Sequence, residues 1–210
     1  MKNLVCFAVR EEGHFYRPGA GTEVLYTGMG AANARKALSK YLQEKRPDHV
    51  FSAGFAGGLD PMLRLGTVVF NSQDAAISKT LEKQGARGCN FLWTEKVAVT
   101  VAEKNRLRAD SGADAVEMES QVIGDICRET NIPCSIVRVI SDTALEDLPL
   151  DFNQVMTQGK RINFPKLALR IIISPGRIPK LIAFRKRTIF AAEKLGTALS
   201  ELTGSMSSPS

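Results

Sequence analysis

Apolar and polar positions follow two different periods along the first 145 residues of the chain. Short runs of β-branched and aromatic residues, typical of buried strands, end in charged or glycine-rich positions. Between these runs, apolar residues recur every three or four positions, as on one face of a helix. The runs predict strands over residues 3–9, 23–27, 49–53, 66–71, 113–118 and 134–140. The helical spacing predicts helices over residues 31–44, 103–110 and 119–130.

Strands that alternate with helices predict an α/β fold with three layers, in which a largely parallel or mixed central sheet is flanked by helices. The 210 residues, 44% of them apolar, are enough for one well-packed domain, which we expect to span residues 1–203. Two segments have weaker patterns. Residues 78–94 predict a loop or a short helix, and residues 96–101 are β-branched, which favours a strand.

The C-terminal part of the chain differs in character from the rest. Apolar and basic residues are interleaved across residues 160–203, with a break at Pro175-Gly176, which predicts two basic amphipathic helices. Their apolar faces either cover the sheet or attach to an anionic membrane surface or an amphiphilic substrate. Residues 204–210 are expected to be disordered.

Charge is distributed unevenly along the chain, whose formal net charge is +6. Residues 160–210 contain ten Lys or Arg and two Glu, for a net charge of +8, whereas the preceding residues sum to −2. Because the basic character belongs to the C-terminal part alone, the composition does not predict a nucleic-acid-binding protein.

The cysteines and histidines give no sign of a metal centre. Cys6, Cys89, Cys127 and Cys134 form no CxxC pair, and the two histidines belong to no metal-binding motif. We therefore expect reduced thiols, no metal and no cofactor. The apolar run at residues 4–9 is too short for a signal peptide, and no later run is long enough to span a membrane, so we expect a cytoplasmic protein.

A glycine-rich turn follows the second predicted strand. Gly28-Met29-Gly30 precedes a helix, an arrangement that favours phosphate binding and suggests a dinucleotide site. The third position of that fingerprint is Asn33, however, and the acidic residue that should follow is Asp48, which precedes its strand instead of ending it. A tight turn with no ligand is the alternative.

Three separated carboxylates indicate a different chemistry. Glu12 follows the first strand, Glu119 precedes a helix and Asp142 follows the last strong strand. Cleavage of an N-glycosidic bond needs a base for the attacking water, an anchor for the sugar hydroxyls and an acid for the departing base, and carboxyl groups can divide these tasks. The sequence offers one candidate for each.

Five motifs carry a family resemblance over residues 3–145. They are Ala8-Val9-Arg10-Glu11-Glu12, Gly28-Met29-Gly30 with Asn33, Ala53-Gly54-Phe55-Ala56-Gly57-Gly58-Leu59, Val116-Glu117-Met118-Glu119 and Arg138-Val139-Ile140-Ser141-Asp142. In this order the chain resembles the purine nucleoside phosphorylase and methylthioadenosine/S-adenosylhomocysteine nucleosidase superfamily. The C-terminal part and residues 100–104 resemble the hopanoid-associated phosphorylase branch, some of whose members are adenosylhopane nucleosidases.

The resemblance implies a role for each carboxylate. Glu12 matches the base that activates water, Glu119 matches the residue that holds the ribose hydroxyls, and Asp142 matches the acid that protonates the purine. That acid needs a proton held near neutral pH by burial or by nearby negative charge. The other substrate contacts that the resemblance implies are Ala8, Gly30, Ala56, Gly57, Val101, Met118 and Ser141. Without the resemblance, Glu119 is equally a helix N-terminal acid and Asp142 a turn residue.

The resemblance leaves the nucleophile open between water and phosphate. We find no arginine in the glycine turn or at the end of the strand over residues 49–53, where a phosphorylase would bind phosphate, and Arg138 lies within a strand. Hydrolysis is therefore favoured over phosphorolysis, unless a partner subunit supplies an arginine. Phe55 replaces a small hydroxyl residue of the nucleosidases, which predicts an altered pocket.

The expected partners are a purine nucleoside, a lipid-linked substrate or the inner membrane surface, and further copies of the chain. A protein from another class, a catalytically silent module that binds nucleosides or membrane surfaces, is the remaining alternative.

Overall fold

Eight strands form one mixed sheet in the computed structural model, which describes residues 1–155, 157, 176 and 178–206. The strands are β1 (Asn3–Phe7), β2 (Thr22–Tyr26), β3 (His49–Gly58), β4 (Val68–Asn71), β5 (Arg87–Gly88), β6 (Phe91–Trp93), β7 (Ala115–Glu117) and β8 (Cys134–Asp142). The helices are α1 (Ala31–Glu44), α2 (Ala75–Lys83), α3 (Val101–Ser111), α4 (Ser120–Glu129), α5 (Phe152–Val155) and α6 (Ile178–Met206). The predicted α/β class with a mixed sheet flanked by helices is confirmed.

The order of the strands brings the candidate motifs to one edge of the sheet. The main path is β2-β1-β3-β8-β4-β5, and β7 pairs with both β3 and β6. Strands β2, β1, β3 and β8 are parallel, whereas β4 and β7 run antiparallel to β8 and β3. Because parallel strands end at the same edge, the segments that follow β1 and end β3 and β8 lie side by side.

Alternating side chains of β1 show how the sheet is covered on both faces. Leu4 and Cys6 pack with residues of α1 and α4, while Val5 and Phe7 pack with residues of α2 and α6. Successive residues of a strand point to opposite faces, so a strand buried on both sides is apolar at every position. Such a strand lies inside a three-layer arrangement.

Local signals explain where α3 begins and ends. The Thr100 hydroxyl accepts a hydrogen bond from the Glu103 amide, and the Glu103 carboxylate accepts one from the Thr100 amide. This reciprocal pair is a capping box. Gly112 ends the helix with a left-handed φ of 68°. The strand that the β-branched residues 96–101 favoured is absent, because these residues lead into the cap of α3.

The weakly patterned residues 78–94 contain more structure than the sequence predicted. The segment holds most of α2, which begins at an Asp74 cap, and all of β5 and β6. Strands of two and three residues are too short to show a period, so hydrophobic patterning alone did not detect them.

Helix α6 corresponds to the second of the two predicted basic helices, and most of the first lies outside the described residues. The C-terminal half of α6 buries Ala191, Leu195 and Leu199 against the sheet, whereas residues 178–190 include no buried side chain. The helix continues to Met206, so residues 204–206 are helical and the predicted disorder is wrong there; residues 207–210 lie outside the described part. Among the described helices, none is both long and apolar enough to cross a membrane.

Candidate active site

A cavity of about 920 Å³ opens at the edge where β1, β3 and β8 end. Eight of the ten predicted catalytic and substrate-contact residues line it, namely Ala8, Glu12, Ala56, Gly57, Met118, Glu119, Ser141 and Asp142, and so does Phe55. Gly30 lies directly behind this lining and donates its backbone N–H to Glu119. Val101 was predicted to contact the substrate but does not line the cavity; it is the first residue of α3, and its amide donates to Asp147.

Glu12 lines the cavity, and three backbone amides hold its carboxylate. Its Oε2 accepts hydrogen bonds from Ala8 N at 2.9 Å and Val9 N at 3.2 Å, and its Oε1 accepts one from Phe55 N at 2.9 Å. Burial raises the pKa of Glu12 above its ordinary value, against the opposing effects of Arg138 and these amides. A fixed carboxylate with a raised pKa is suited to take a proton from water.

The close approach of Glu12 to β3 requires glycine at position 54. A Cβ atom there would lie 2.6 Å from Glu12 Oε1 and 2.5 Å from Arg138 Nη1, and the φ of Gly54 is 155°. Both distances are far shorter than real Cβ contacts, so any side chain would displace the carboxylate or the guanidinium.

Glu119 reaches across to the glycine turn before α1. Its Oε1 accepts a hydrogen bond of 2.8 Å from Gly30 N, and its side chain forms no cap on its own helix. A carboxylate of the chain thus occupies the helix N-terminus where a dinucleotide phosphate would bind. Asp48, the candidate for the ribose contact of such a site, instead accepts a hydrogen bond from the Lys2 amide. The structure therefore gives no support to the dinucleotide site.

The carboxyl group of Glu119 is poised to titrate near neutral pH. Burial is the largest effect and raises its pKa to about 7; Arg138 lowers the pKa, while the charges of Glu12 and Glu117 raise it. As an anion, a carboxylate can accept hydrogen bonds from two neighbouring hydroxyls at once.

Arg138 and Glu117 form a buried ion pair that the sequence patterns did not reveal. Arg138 Nη2 lies 2.6 Å from Glu117 Oε2 and donates to Ser52 Oγ at 3.1 Å, and it lies 3.9 Å from Glu119 Oε2. Glu117 in turn accepts the amides of Glu119 and Ser120, which fixes the first turn of α4. Arg138 is thus engaged with carboxylates, in line with a structural role. The sequence gives one sign of this role for Arg138, a charged residue within a largely apolar predicted strand.

Asp142 is bonded through both of its oxygens. Oδ1 accepts a hydrogen bond of 2.8 Å from Ser141 Oγ, and Oδ2 lies 2.6 Å from Lys104 Nζ. The residue is buried, and the charge beside it is the positive charge of Lys104. Sequence reasoning missed Lys104, because the capping signals of α3 do not indicate which side chain points inward.

The rest of the cavity is largely apolar. Phe55, Phe152 and Phe184 are among its lining residues, and the rings of Phe152 and Phe184 lie 5.5 Å apart. Trp93 Nε1 donates to the Met118 carbonyl at 2.7 Å and so fixes the backbone beside Glu119. Within the described ranges, no three His, Cys, Asp or Glu side chains are grouped to hold a metal ion.

Sequence comparison with protein families gives a match over part of the chain. The family model described as the phosphorylase superfamily matches residues 75–173, a span that includes β7, α4, β8 and the motifs of Glu119 and Asp142.

Comparison with solved structures extends the likeness to nearly the whole chain. The 5'-methylthioadenosine/S-adenosylhomocysteine nucleosidase of Neisseria meningitidis, in complex with methylthio-immucillin-A, has a TM-score of 0.71 and 18% identity, with 98% of this chain and 100% of that chain covered. The corresponding nucleosidase of Campylobacter jejuni has a TM-score of 0.70 and 16% identity, with 98% and 99% covered. The futalosine hydrolase of Helicobacter pylori has a TM-score of 0.70 and 14% identity, with 96% and 97% covered. The chain therefore matches the phosphorylase superfamily in sequence over residues 75–173 and has the fold of these nucleosidases along nearly its entire length.

Proposed function

We propose that this protein is an enzyme that hydrolyses the N-glycosidic bond of purine nucleosides, with an adenosyl compound as substrate. One observation carries the proposal: Glu12, Glu119 and Asp142, which are widely separated in the sequence, line a single cavity of nucleoside size or larger. The fold shared with two adenosine-type nucleosidases and a futalosine hydrolase supports the same reaction class.

Each carboxylate has a distinct task in this reaction. Glu12 orients a water molecule and takes its proton as the oxygen adds to the anomeric carbon. Glu119 holds the ribose hydroxyls, with Met118 packed on the sugar, and its negative charge stabilises the positive charge that develops on the ring. Asp142, oriented by Ser141, is the route by which a proton reaches the departing base.

Water is favoured over phosphate by the charges around the cavity. Lys96 is the one cationic side chain among the described residues of its lining, and Arg138 is held by Glu117. Cationic side chains bind a phosphate dianion strongly, and this described lining supplies a single one. A phosphate-dependent phosphorylase, completed by an arginine of a partner subunit in a homo-oligomer, is the alternative.

Release of free adenine from adenosyl substrates in phosphate-free buffer tests the proposal. We expect adenine and a free sugar as products, without any requirement for phosphate. Strict dependence on phosphate, with a sugar phosphate as product, would identify a phosphorylase. No release from any purine nucleoside, with binding intact, would favour a catalytically silent nucleoside-binding module.

The variant Glu12→Gln tests the assignment of the base. General-base catalysis contributes roughly 10²- to 10⁴-fold, so kcat should fall by about that factor while nucleoside binding measured by calorimetry stays within a few-fold. Glu82→Gln, which removes an exposed carboxylate of α2, is the matched control and should retain full activity. Unchanged turnover in Glu12→Gln would show that another group activates the water.

We further propose that the nucleoside carries a large apolar group and is met at a membrane surface, as adenosylhopane would be. The apolar part of the cavity is bounded by Phe184 and Thr188 of α6, whose outer face exposes Ile178, Ile182 and Ile189 beside basic residues. In the adenine-release assay, a substrate with a long hydrocarbon at the 5′ carbon should have a higher kcat/KM than its short soluble analogue. Equal values would leave the hydrolase assignment in place and remove the lipid-linked substrate.

A further inference from the structure

Lys104 is a buried cation at the site, and its position is unusual for its helix. Helix α3 has one fully buried side chain, and that side chain is the lysine, with none of its surface exposed. Burying an ammonium is costly unless every donor finds an acceptor, so a lysine is retained in such a position only when its partners satisfy it.

The partners of Lys104 account for all three of its N–H donors. Nζ lies 2.6 Å from Asp142 Oδ2 and donates to the carbonyl oxygens of Thr143 at 2.7 Å and Glu146 at 3.0 Å. Asp142 lines the cavity, whereas Lys104 does not. Of the three groups that Lys104 contacts, Asp142 is the one that lines the cavity, so a proton from Lys104 reaches a bound nucleoside through Asp142.

The contact raises a difficulty for Asp142 acting alone as an acid. A hydrogen on Oδ2 would point at an ammonium, which has no lone pair to accept it, and Oδ1 already accepts the Ser141 hydroxyl. The resting pair is thus a carboxylate beside an ammonium. A carboxylate has no proton to give to a departing base.

We propose that Lys104 is the source of the proton that Asp142 passes to the departing base, an inference that rests on the proposed hydrolase function. As the glycosidic bond breaks, its electron pair moves into the purine. The ammonium of Lys104 gives a proton to the Asp142 carboxylate and becomes a neutral amine, and Asp142 passes a proton to a ring nitrogen of the purine and is a carboxylate again. Water adds to the anomeric carbon and its proton goes to Glu12. The total charge of the site is unchanged, and exchange with solvent resets both groups.

The dependence on the leaving group tests this role. Lys104→Met removes the ammonium at similar side-chain length, and we expect kcat for an adenosyl nucleoside to fall by about 10²-fold or more, the usual contribution of a general acid. A 4-nitrophenyl riboside leaves as a stable anion that needs no proton, so the same variant should lose less than about tenfold on it. The ratio of the two rates within one preparation does not depend on how much of the protein is folded.

A second variant separates proton supply from simple charge pairing and uses the nucleoside alone. Lys104→Arg keeps a positive charge beside Asp142, but guanidinium does not give up its proton in proteins. We therefore expect Lys104→Arg to lose kcat on the nucleoside nearly as much as Lys104→Met. Lys79→Met, at an exposed position of α2, is the control for a lysine-to-methionine change.

Two results would overturn the proposal. Equal losses on both substrates in Lys104→Met would show that the lysine only maintains the structure. Near wild-type turnover in Lys104→Arg would show that a positive charge is sufficient. Failure of the unmodified protein to release adenine is a different result, because it would contradict the hydrolase function itself.

Discussion

At the scale of single residues, the site gathers three glutamates around one guanidinium in a buried volume. Arg138 lowers the pKa of both Glu12 and Glu119, yet burial outweighs it and both values are raised. One positive charge cannot neutralise three carboxylates, so the cluster favours binding a proton over full ionisation. The same groups that suit the proposed chemistry therefore make the stability of the protein depend on pH.

The variant Glu119→Gln measures this dependence. The folded-state pKa of Glu119 is about 7, against an ordinary value of 4.5, so the folded chain binds more protons than the unfolded chain between these pH values. The free energy of unfolding must then fall as pH rises from about 4.5 to 7, with Glu119 contributing on the order of 3 kcal/mol of the fall. In Glu119→Gln, the decrease in the free energy of unfolding between pH 5 and pH 8, measured by urea denaturation, should be smaller by about 2–3 kcal/mol than in the unmodified protein.

Glu146→Gln is the control, because the pKa of Glu146 is shifted in the opposite direction to that of Glu119. Burial raises the pKa of Glu146, but Arg187 and the Thr143 amide lower it more, so its folded-state pKa lies below the ordinary value. Its contribution to stability is complete above the ordinary value and is lost as pH falls below it, which leaves the window from pH 5 to 8 nearly unaffected. An unchanged pH dependence in Glu119→Gln would show that this carboxylate ionises normally in the folded protein.

The sequence predicted the positions of the reacting groups better than it predicted their partners. Glu12, Glu119 and Asp142 follow strands or precede a helix in recognisable motifs, and the structure brings them to one cavity. Lys104 and Arg138 were missed as members of the site, because their partners are distant in the sequence. Asp142 lies 38 positions after Lys104, and Glu117 lies 21 positions before Arg138. Contacts over such separations follow from the order of the strands, which hydrophobic periodicity does not encode.

At the scale of elements, two helical glycines show how packing overrides helix propensity. Gly196 in α6 lies against the backbone of Phe15, and a Cβ there would be 2.7 Å from the Phe15 carbonyl carbon. Gly124 in α4 has no atom within 4 Å of the place where its Cβ would lie. Alanine is the better helix former at both positions, but only one of them has room for it.

Replacing each glycine by alanine should therefore change stability in opposite directions. Gly124→Ala should raise the free energy of unfolding by about 0.5–1 kcal/mol, since alanine loses less backbone entropy on folding. Gly196→Ala should lower it by about 1–3 kcal/mol, because α6 must move away from Phe15. Urea denaturation of both variants checks the pair, and stabilisation by Gly196→Ala would contradict the close packing of α6.

The length of an element decided whether the sequence predicted it. Helix α1 begins and ends at the predicted residues, because its fourteen residues span several helical periods between a glycine turn and Pro47. Strands β5 and β6 have two and three residues and are held by pairing with β4 and β7. Elements stabilised by distant neighbours leave little signal in their own sequence.

At the scale of the whole molecule, charge and apolar surface are concentrated beside the cavity mouth. The N-terminal half of α6 exposes Ile182 and Ile189, with Arg185 and Lys186 next to them, while the body of the chain before residue 160 has a net charge of −2. Ile178, Ile182 and Ile189 lie on one side of the helix, because their spacings of four and seven residues are close to whole turns. An anionic membrane would attract this face and repel the rest of the protein.

Vesicle binding tests this orientation. The protein should co-sediment with vesicles that contain phosphatidylserine and much less with purely zwitterionic vesicles, and binding should weaken as salt shortens the range of electrostatic attraction. The double variant Ile182→Glu with Ile189→Glu should weaken binding at least about tenfold, because it removes apolar contact and adds negative charge on this face. Neither residue lines the cavity, so hydrolysis of a short, soluble nucleoside should be retained.

The double variant Asn105→Glu with Gln121→Glu is the control for net charge, because it adds the same charge at exposed positions of α3 and α4. Equal binding by the two double variants would show that the α6 face is not the surface that meets the membrane.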